Sequence, residues 1–196
     1  MIKKVAIFGQ IYSANAEKEI TILLKALEKH NVVVFFEKNF YDILKQHNHL
    51  SKKFATFTSF NDLNNSFDFF FSIGGDGTIL RAITYIRDLN IPILGINTGR
   101  LGFLSNTPTT EIKTVLQDLM DGNYSTERRS LLRLDSVRNH FGDSNHALNE
   151  ISILKSDSSS MITIHTEING THLNSYWTDG LIISTATGST AYSLSC

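Results

Sequence analysis

The chain has 196 residues, of which 41% are hydrophobic and 19% charged, with a formal net charge of −1. That is enough sequence to bury a core in one domain or two small ones, and the charge balance lacks the basic excess of a nucleic-acid binder. The single cysteine, Cys196, excludes an intrachain disulfide and suits a reducing compartment. No apolar run approaches the ~20 residues that span a bilayer. The N-terminal stretch MIKKVAIFGQIYSAN is too short in apolar residues for a secretory signal. Asn64-Asn65-Ser66, Asn123-Tyr124-Ser125 and Asn169-Gly170-Thr171 are therefore read as accidental matches to the glycosylation pattern. A cytoplasmic protein is expected, with neither nucleic acid nor membrane as a partner.

In chain order, VAIFG (5–9) predicts a strand, and AEKEITILLKALEKH follows with Ile20, Leu23, Leu24 and Leu27 at helical spacing. NVVVFFE (31–37) and FDFFFSI (67–73) predict two more strands. From Thr78 the pattern turns helical, with Ile79, Ile83 and Ile86 on one face. IPILGIN (91–97) is a fourth strand, apolar on both faces as in a covered parallel sheet. TPTTEIKTVLQDLMDGN (107–123) predicts a helix capped by its hydroxyl residues and ended near Gly122. Alternating strand and helix argue for a parallel sheet with helices on its faces.

Past about residue 125 the segments SLLRLDSV, ALNEISILK, SMITIHTEI and THLNSYW read as strands with polar or glycine-containing breaks. Asn169-Gly170 is a two-residue hairpin signal, because both positions of that turn favour positive φ. DSSS (157–160) reads as a loop. The expected fold class is an α/β N-terminal domain, residues 1–124, followed by a mostly β C-terminal domain, residues 125–196. The last segment, DGLIISTATGSTAYSLSC, stops at what reads as the start of a further segment, so the β domain is expected to be incomplete.

The sequence FFFSIGGDGTIL (69–80) places three glycines around a carboxylate between a buried strand and a helix. Glycines there bring several backbone N–H groups to one concave spot, and the helix start adds the positive end of its dipole. That suits phosphate, yet Asp76 repels phosphate. It makes sense as a metal ligand beside the phosphates or as a base facing a substrate hydroxyl. The plainer alternative is a turn with Asp76 as N-cap, which requires neither Gly74 nor Gly75. The phosphate loop ending in lysine and serine or threonine is absent, as is G-x-G-x-x-G after the first strand, where Gly9 stands alone.

Four blocks, SIGGDGTILRA, GINTGRLGFLS, Asn149-Glu150 in ALNEISI, and DGLIISTATGSTAYSLS, together resemble the NAD kinase family. The first is shared with diacylglycerol, sphingosine and phosphofructokinase-type turns; Asn149-Glu150 with TGSTAY is the specific part. The resemblance implies transfer of the γ-phosphoryl of ATP to the 2′-hydroxyl of the adenosine ribose of NAD, giving NADP. It implies Asp76 as the catalytic carboxylate, Gly74, Gly75, Gly77 and Thr78 at the phosphates, and Arg81 as a nearby cation. It places Asn149 and Glu150 on the ribose and adenine of NAD, and Asp179 toward the nicotinamide half. Thr187, Ser189, Thr190, Ala191, Tyr192 and Ser195 fall on the segment lining the adenine pocket, with Phe103 beside it. NAD is then the substrate, and Mg2+ or another divalent cation accompanies ATP. A homo-oligomer, dimer or tetramer, is expected.

Some of these residues have plainer readings. Asn149-Glu150 can be a solvated strand edge, Phe103 can be core, and Trp177 an interface or core aromatic. The seven histidines lack paired spacing for a metal. The family commonly has proline where Ala186 stands, which loosens that loop without removing a contact group. Two other functions compete: a lipid kinase of the diacylglycerol type, and a chain that binds NAD or NADP without turnover.

Overall fold

The computed structural model describes residues 2–10, 16–47, 50, 52–99, 102–142, 144–156 and 159–196. Residues 11–15, Arg100 and Leu101 of GINTGRLGFLS, and the first half of the DSSS loop (157 and 158) lie outside the described residues. Contacts divide the chain into two units, Met1–Glu127 and Arg128–Cys196.

In the first unit, β1 (Lys4–Gly9), α1 (Ala16–Lys29), β2 (Val33–Glu37), α2 (Lys38–Gln46) and β3 (Ala55–Phe57) are followed by β4 (Phe69–Ile73), α3 (Asp76–Ile86), β5 (Ile93–Asn97), β6 (Thr107–Pro108) and α4 (Ile112–Asp121). The strands form one sheet in the order β3-β2-β1-β4-β5-β6, and its pairs are parallel. The expected parallel α/β sheet is present. Successive side chains on a strand point to opposite faces, and two cores result. Val5, Ile7, Phe36, Phe69 and Phe71 pack with Leu23 and Leu27 of α1, Leu44 of α2 and Leu116 of α4. Ala6, Phe8, Phe57 and Phe70 pack with Ala82 and Ile86 of α3. Both faces of β4 are buried, which is why its sequence is continuously apolar.

The starts of two helices differ from the sequence reading. Helix α3 starts at Asp76 rather than near Thr78, with Gly75 as its N-cap. The hydroxyl residues of 107–110 do not cap α4: Thr107–Pro108 pairs with β5 as β6, Thr109–Glu111 is a 3-10 turn, and Glu111 is the N-cap. Helix α4 ends at Gly122, which holds the left-handed conformation at φ 79°, as expected of a glycine stop. The chain also has α2, where Glu37 ends β2 and its carboxylate accepts from the Phe40 amide at 2.9 Å.

The second unit is mostly β, as expected. Its strands are β7 (Leu132–Arg133), β8 (His146–Ala147), β9 (Glu150–Leu154), β10 (Ile162–Ile168), β11 (Thr171–Thr178) and β12 (Gly180–Ser184). They pair antiparallel as β7-β8, β9-β12 and β10-β11. Asn169 (φ 51°) and Gly170 (φ 77°) make the hairpin turn between β10 and β11 with the two positive φ values that the dipeptide predicts.

Candidate active site

The sheet order reverses between β1 and β4: the chain runs outward through β2 and β3, then returns to β4 on the other side of β1. Ligands of open α/β sheets collect at such a switch point, beyond the carboxyl ends of the strands. The segment Gly74–Asp76 leaves β4 at that point. Gly74 has φ 148°, and a Cβ there would meet the Thr78 hydroxyl, so this glycine answers to the backbone of the turn. An added Cβ on Gly75 or Gly77 meets none of the described residues within 4 Å.

Asp76 is not an N-cap. Its carboxylate turns to the segment after β5 and accepts three backbone N–H bonds. Phe103 donates to Oδ2 at 2.8 Å, while Leu104 and Ser105 donate to Oδ1 at 3.0 and 2.8 Å. Burial pushes the Asp76 carboxyl up, but the amides of Ser105, Phe103 and Leu104 outweigh it and leave the group below its ordinary value. Asp76 is therefore a fixed anion at neutral pH. The same segment is tied to the turn by the Ser105 hydroxyl, which donates to the Gly74 carbonyl at 2.8 Å. Asn97, buried at the end of β5, braces it by donating to the Ser105 carbonyl at 2.9 Å.

Arg81 lies one turn further along α3 and is exposed. With the Gln10 amide oriented to satisfy both groups, Arg81 donates from Nε at 3.1 Å and from Nη1 to the Gln10 carbonyl. That fixes a guanidinium at the ends of β1 and β4. Phe103 is 96% exposed. The core reading of this ring is thereby overturned, and its contribution to the turn is its amide. Trp177, at 76% exposure, is not core either.

In the second unit the buried residues, among those described, are Leu148, Thr185 and Gly188. They meet at one place. The Thr185 amide donates to the Asn149 carbonyl at 2.9 Å, and the Thr185 hydroxyl donates to the Leu148 carbonyl at 2.5 Å. Gly188 donates to the Thr185 hydroxyl at 3.1 Å. A Cβ on Gly188 would fall 2.0 Å from the Asn149 carbonyl oxygen. Residues 149–150 and 185–188 are thus held backbone to backbone, although they are far apart in sequence.

Glu150 pairs with Ser184 across β9 and β12. Its Oε2 is out of reach of solvent and has no hydrogen-bond partner among the described residues, which is not the state of a solvated edge. Thr187 accepts from Arg129 Nη1 at 3.1 Å, and Ser189 donates its hydroxyl to the Ala186 carbonyl at 2.8 Å. Ala191 is half-buried, whereas Thr190, Tyr192 and Ser195 are exposed. Asp179 lies at the opposite end of the β9-β12 pair from Glu150, next to Gly180, which pairs with Leu154. Its carboxylate holds Lys155 Nζ at 2.6 Å. No group of three or more His, Cys, Asp or Glu side chains suited to a metal gathers among the described residues. Among them too, no helix is long and apolar enough to cross a membrane.

A parallel sheet whose switch point carries a glycine-rich turn and a fixed carboxylate is the layout of an α/β ligand-binding domain. The comparisons narrow that class. Residues 5–124 match the family model of the ATP-NAD kinase N-terminal domain, and residues 148–196 that of the ATP-NAD kinase C-terminal domain. The chain belongs to the ATP-NAD kinase family. It is similar to the NAD kinase of Christiangramia forsetii, at 47% identity over 98% of this chain and 66% of the relative. It is also similar to that of Porphyromonas gingivalis, at 38% identity over 99% of this chain and 66% of the relative. The chain thus spans slightly under two thirds of the length of these curated relatives. Among solved structures, an NAD kinase from Archaeoglobus fulgidus in complex with ATP superposes with a TM-score of 0.64, at 25% identity over 98% of this chain and 64% of that one. Yeast NADH kinase complexed with NADH has the same fold, with a TM-score of 0.76 at 24% identity over 99% of this chain and 60% of that one.

Proposed function

We propose that the protein phosphorylates the 2′-hydroxyl of the adenosine ribose of NAD with ATP, yielding NADP and ADP. The observation that carries this reading is the seating of Asn149-Glu150 against the TATGS segment, with Glu150 Oε2 buried and unpartnered among the described residues. A buried carboxylate oxygen without a donor suits a ligand that brings one, and ribose hydroxyls do so. A diacylglycerol acceptor gives no reason for this arrangement. The curated relatives, each named NAD kinase, support the same substrate.

In this reading the 2′-oxygen attacks the γ-phosphorus as the bond to the ADP oxygen breaks, and the hydroxyl proton passes by way of the Asp76 carboxylate to solvent. Phosphoryl transfer depends mainly on positioning and charge stabilisation, since the phosphoryl group bears much of its charge before the new bond is complete. Asp76 is an ionised acceptor that holds the acceptor hydroxyl by its proton. Arg81 supplies positive charge at the same edge, and Gly75 and Gly77 leave room for phosphate oxygens. Asn149 and Glu150 hold the ribose and adenine, with residues 187–195 and Phe103 beside the adenine. Asp179, at the other end of β9-β12, is assigned to the nicotinamide half of an extended dinucleotide. The donor set suits Mg2+ carried by the phosphates of ATP, and such an ion would neutralise phosphate charge. We also place the protein in the cytoplasm and read it as a homo-oligomer, dimer or tetramer.

Incubating the chain with NAD, ATP and Mg2+ and measuring NADP tests the reaction. NADP formation, and no phosphorylation of a diacylglycerol, is the expected result. Heat of NAD binding without any NADP would instead favour a binding chain without turnover.

A further inference from the structure

To face the acceptor hydroxyl, the Asp76 carboxylate must be held in one orientation. A carboxylate has about four lone-pair sites, two on each oxygen. The amides of Leu104 and Ser105 take both sites on Oδ1, and the amide of Phe103 takes one on Oδ2. One site is left, on Oδ2. The donors are backbone groups of consecutive residues, so they move as one body and not as three independent side chains. That body is itself anchored twice, by Asn97 on the Ser105 carbonyl and by the Ser105 hydroxyl on the Gly74 carbonyl. The Gly102 amide also closes the segment on itself, donating to the Ser105 carbonyl at 3.3 Å.

Gly102 makes the approach possible. A Cβ at this position would lie 2.1 Å from Asp76 Oδ1, 2.6 Å from its Cγ and 2.8 Å from Oδ2. Carbon does not come that close to a carboxylate, and three amide bonds hold the carboxylate where it is. Any side chain at 102 must therefore push the segment off Asp76 or turn the carboxylate away. The lack of room for a Cβ beside the Asp76 carboxylate is sufficient reason for glycine at 102.

We propose that residues 102–105 are a carboxylate clamp for the phosphoryl-transfer step, in which Gly102 and Asn97 are positioning residues and the remaining Oδ2 site is the one presented to the acceptor hydroxyl. This rests on the kinase reading for its reaction, but the clamp itself is a property of the first unit alone. It assigns GINTGRLGFLS a role through its backbone, in addition to any contact the Phe103 ring makes.

The test combines NMR and kinetics on the full chain. In wild type, the side-chain carbon of Asp76 is followed from pH 2 to pH 7 together with the amide protons of Phe103, Leu104 and Ser105. All four signals are expected to move with one midpoint, below the ordinary carboxylate value of 3.8. Gly102→Ala is then expected to raise that midpoint toward the ordinary value. It should also lower kcat by roughly 10²-fold, the cost of misplacing a catalytic group by about 1 Å, with the KM for NAD within about twofold. Global loss of packing would not move the Asp76 titration selectively. An ordinary midpoint in wild type overturns the clamp, whether or not the variant folds. A folded Gly102→Ala protein with wild-type kcat overturns its positioning role. If wild type shows the low shared midpoint but makes no NADP, the clamp stands and the assigned reaction fails.

Discussion

Asp76→Asn separates the part of this carboxylate that holds structure from the part assigned to chemistry. The variant keeps one oxygen, which best replaces Oδ1 and keeps the bonds from Leu104 and Ser105. Its NH2 group then faces the Phe103 amide, donor against donor, where a 2.8 Å bond stood. That amide is exposed enough to turn to water, so the stability cost falls at the low end of the range for a lost hydrogen bond, about 1 kcal/mol. Turnover should suffer far more. A positioned acid or base typically contributes ~10²–10⁴-fold, equivalent to about 2.7–5.4 kcal/mol in the barrier. The assay pairs NADP production, read with an NADP-specific dehydrogenase, with calorimetric titration of NAD. The expected outcome is near-wild-type NAD affinity, a small drop in melting temperature and turnover reduced at least a hundredfold. Wild-type turnover in Asp76→Asn would refute the catalytic role and leave Asp76 as a structural anchor for residues 103–105.

Asn149→Ala should raise the KM for NAD more than the KM for ATP, by the roughly 1–3 kcal/mol of a lost buried hydrogen bond; steady-state kinetics in both substrates check this, and equal effects would remove the pair from the acceptor site. Gly188→Ala places a methyl 2.0 Å from the Asn149 carbonyl oxygen, an overpacking that should destabilise the second unit by about 1–3 kcal/mol and weaken NAD binding, both measurable by urea melts and calorimetry. Stability should also depend on pH through Asp62 and Asp76. Bonds from Thr58 lower the Asp62 carboxyl, helped by the Ser59 amide, and the amide bonds at Asp76 lower its carboxyl despite burial. A depressed folded value means that the stabilisation is complete above the ordinary value of 3.8 and is lost as pH falls through the folded values. Urea melts from pH 6 down to pH 2.5 should be flat to about pH 4 and decline below it, and Asp76→Ala should make that decline shallower.

Much of the first unit was legible because its strands are buried on both faces. FDFFFSI and IPILGIN have no polar alternation, which is the mark of a covered parallel strand, and both are in the sheet as β4 and β5. The strands β3 and β6 were not legible, since three residues and two residues carry no period. Nor was α2, which begins at the residue after β2 with no turn signal between them. Glu37 does both jobs there, ending the strand and capping the helix with its carboxylate, and nothing in its identity announces the second. The start of α3 was misplaced for a related reason. Gly75 serves as N-cap without any side chain, so a search for a capping hydroxyl or carboxylate passes over it and fixes on Asp76.

The site was legible where side chains do the work, and obscure where the backbone does. Glu150 and Asp76 stand out as carboxylates in apolar or glycine-rich surroundings. The three amides that hold Asp76 have no such signature, because Phe103, Leu104 and Ser105 contribute the same N–H that any residue but proline would. What backbone recognition does leave in a sequence is glycine, and the glycines here answer to different causes. Gly74 permits a backbone angle that L side chains rarely adopt. Gly102 admits a carboxylate, and Gly188 admits the carbonyl of Asn149. Gly75 and Gly77 are pressed by none of the described residues, so packing among those residues does not account for them. On the reading proposed above, their reason lies in what binds over the turn. Alanine at Gly74, Gly102 or Gly188 should therefore disturb the protein with or without nucleotide, whereas alanine at Gly75 or Gly77 should leave a folded protein, altered only by the small helix-cap and helix-propensity terms, and act chiefly on ATP binding.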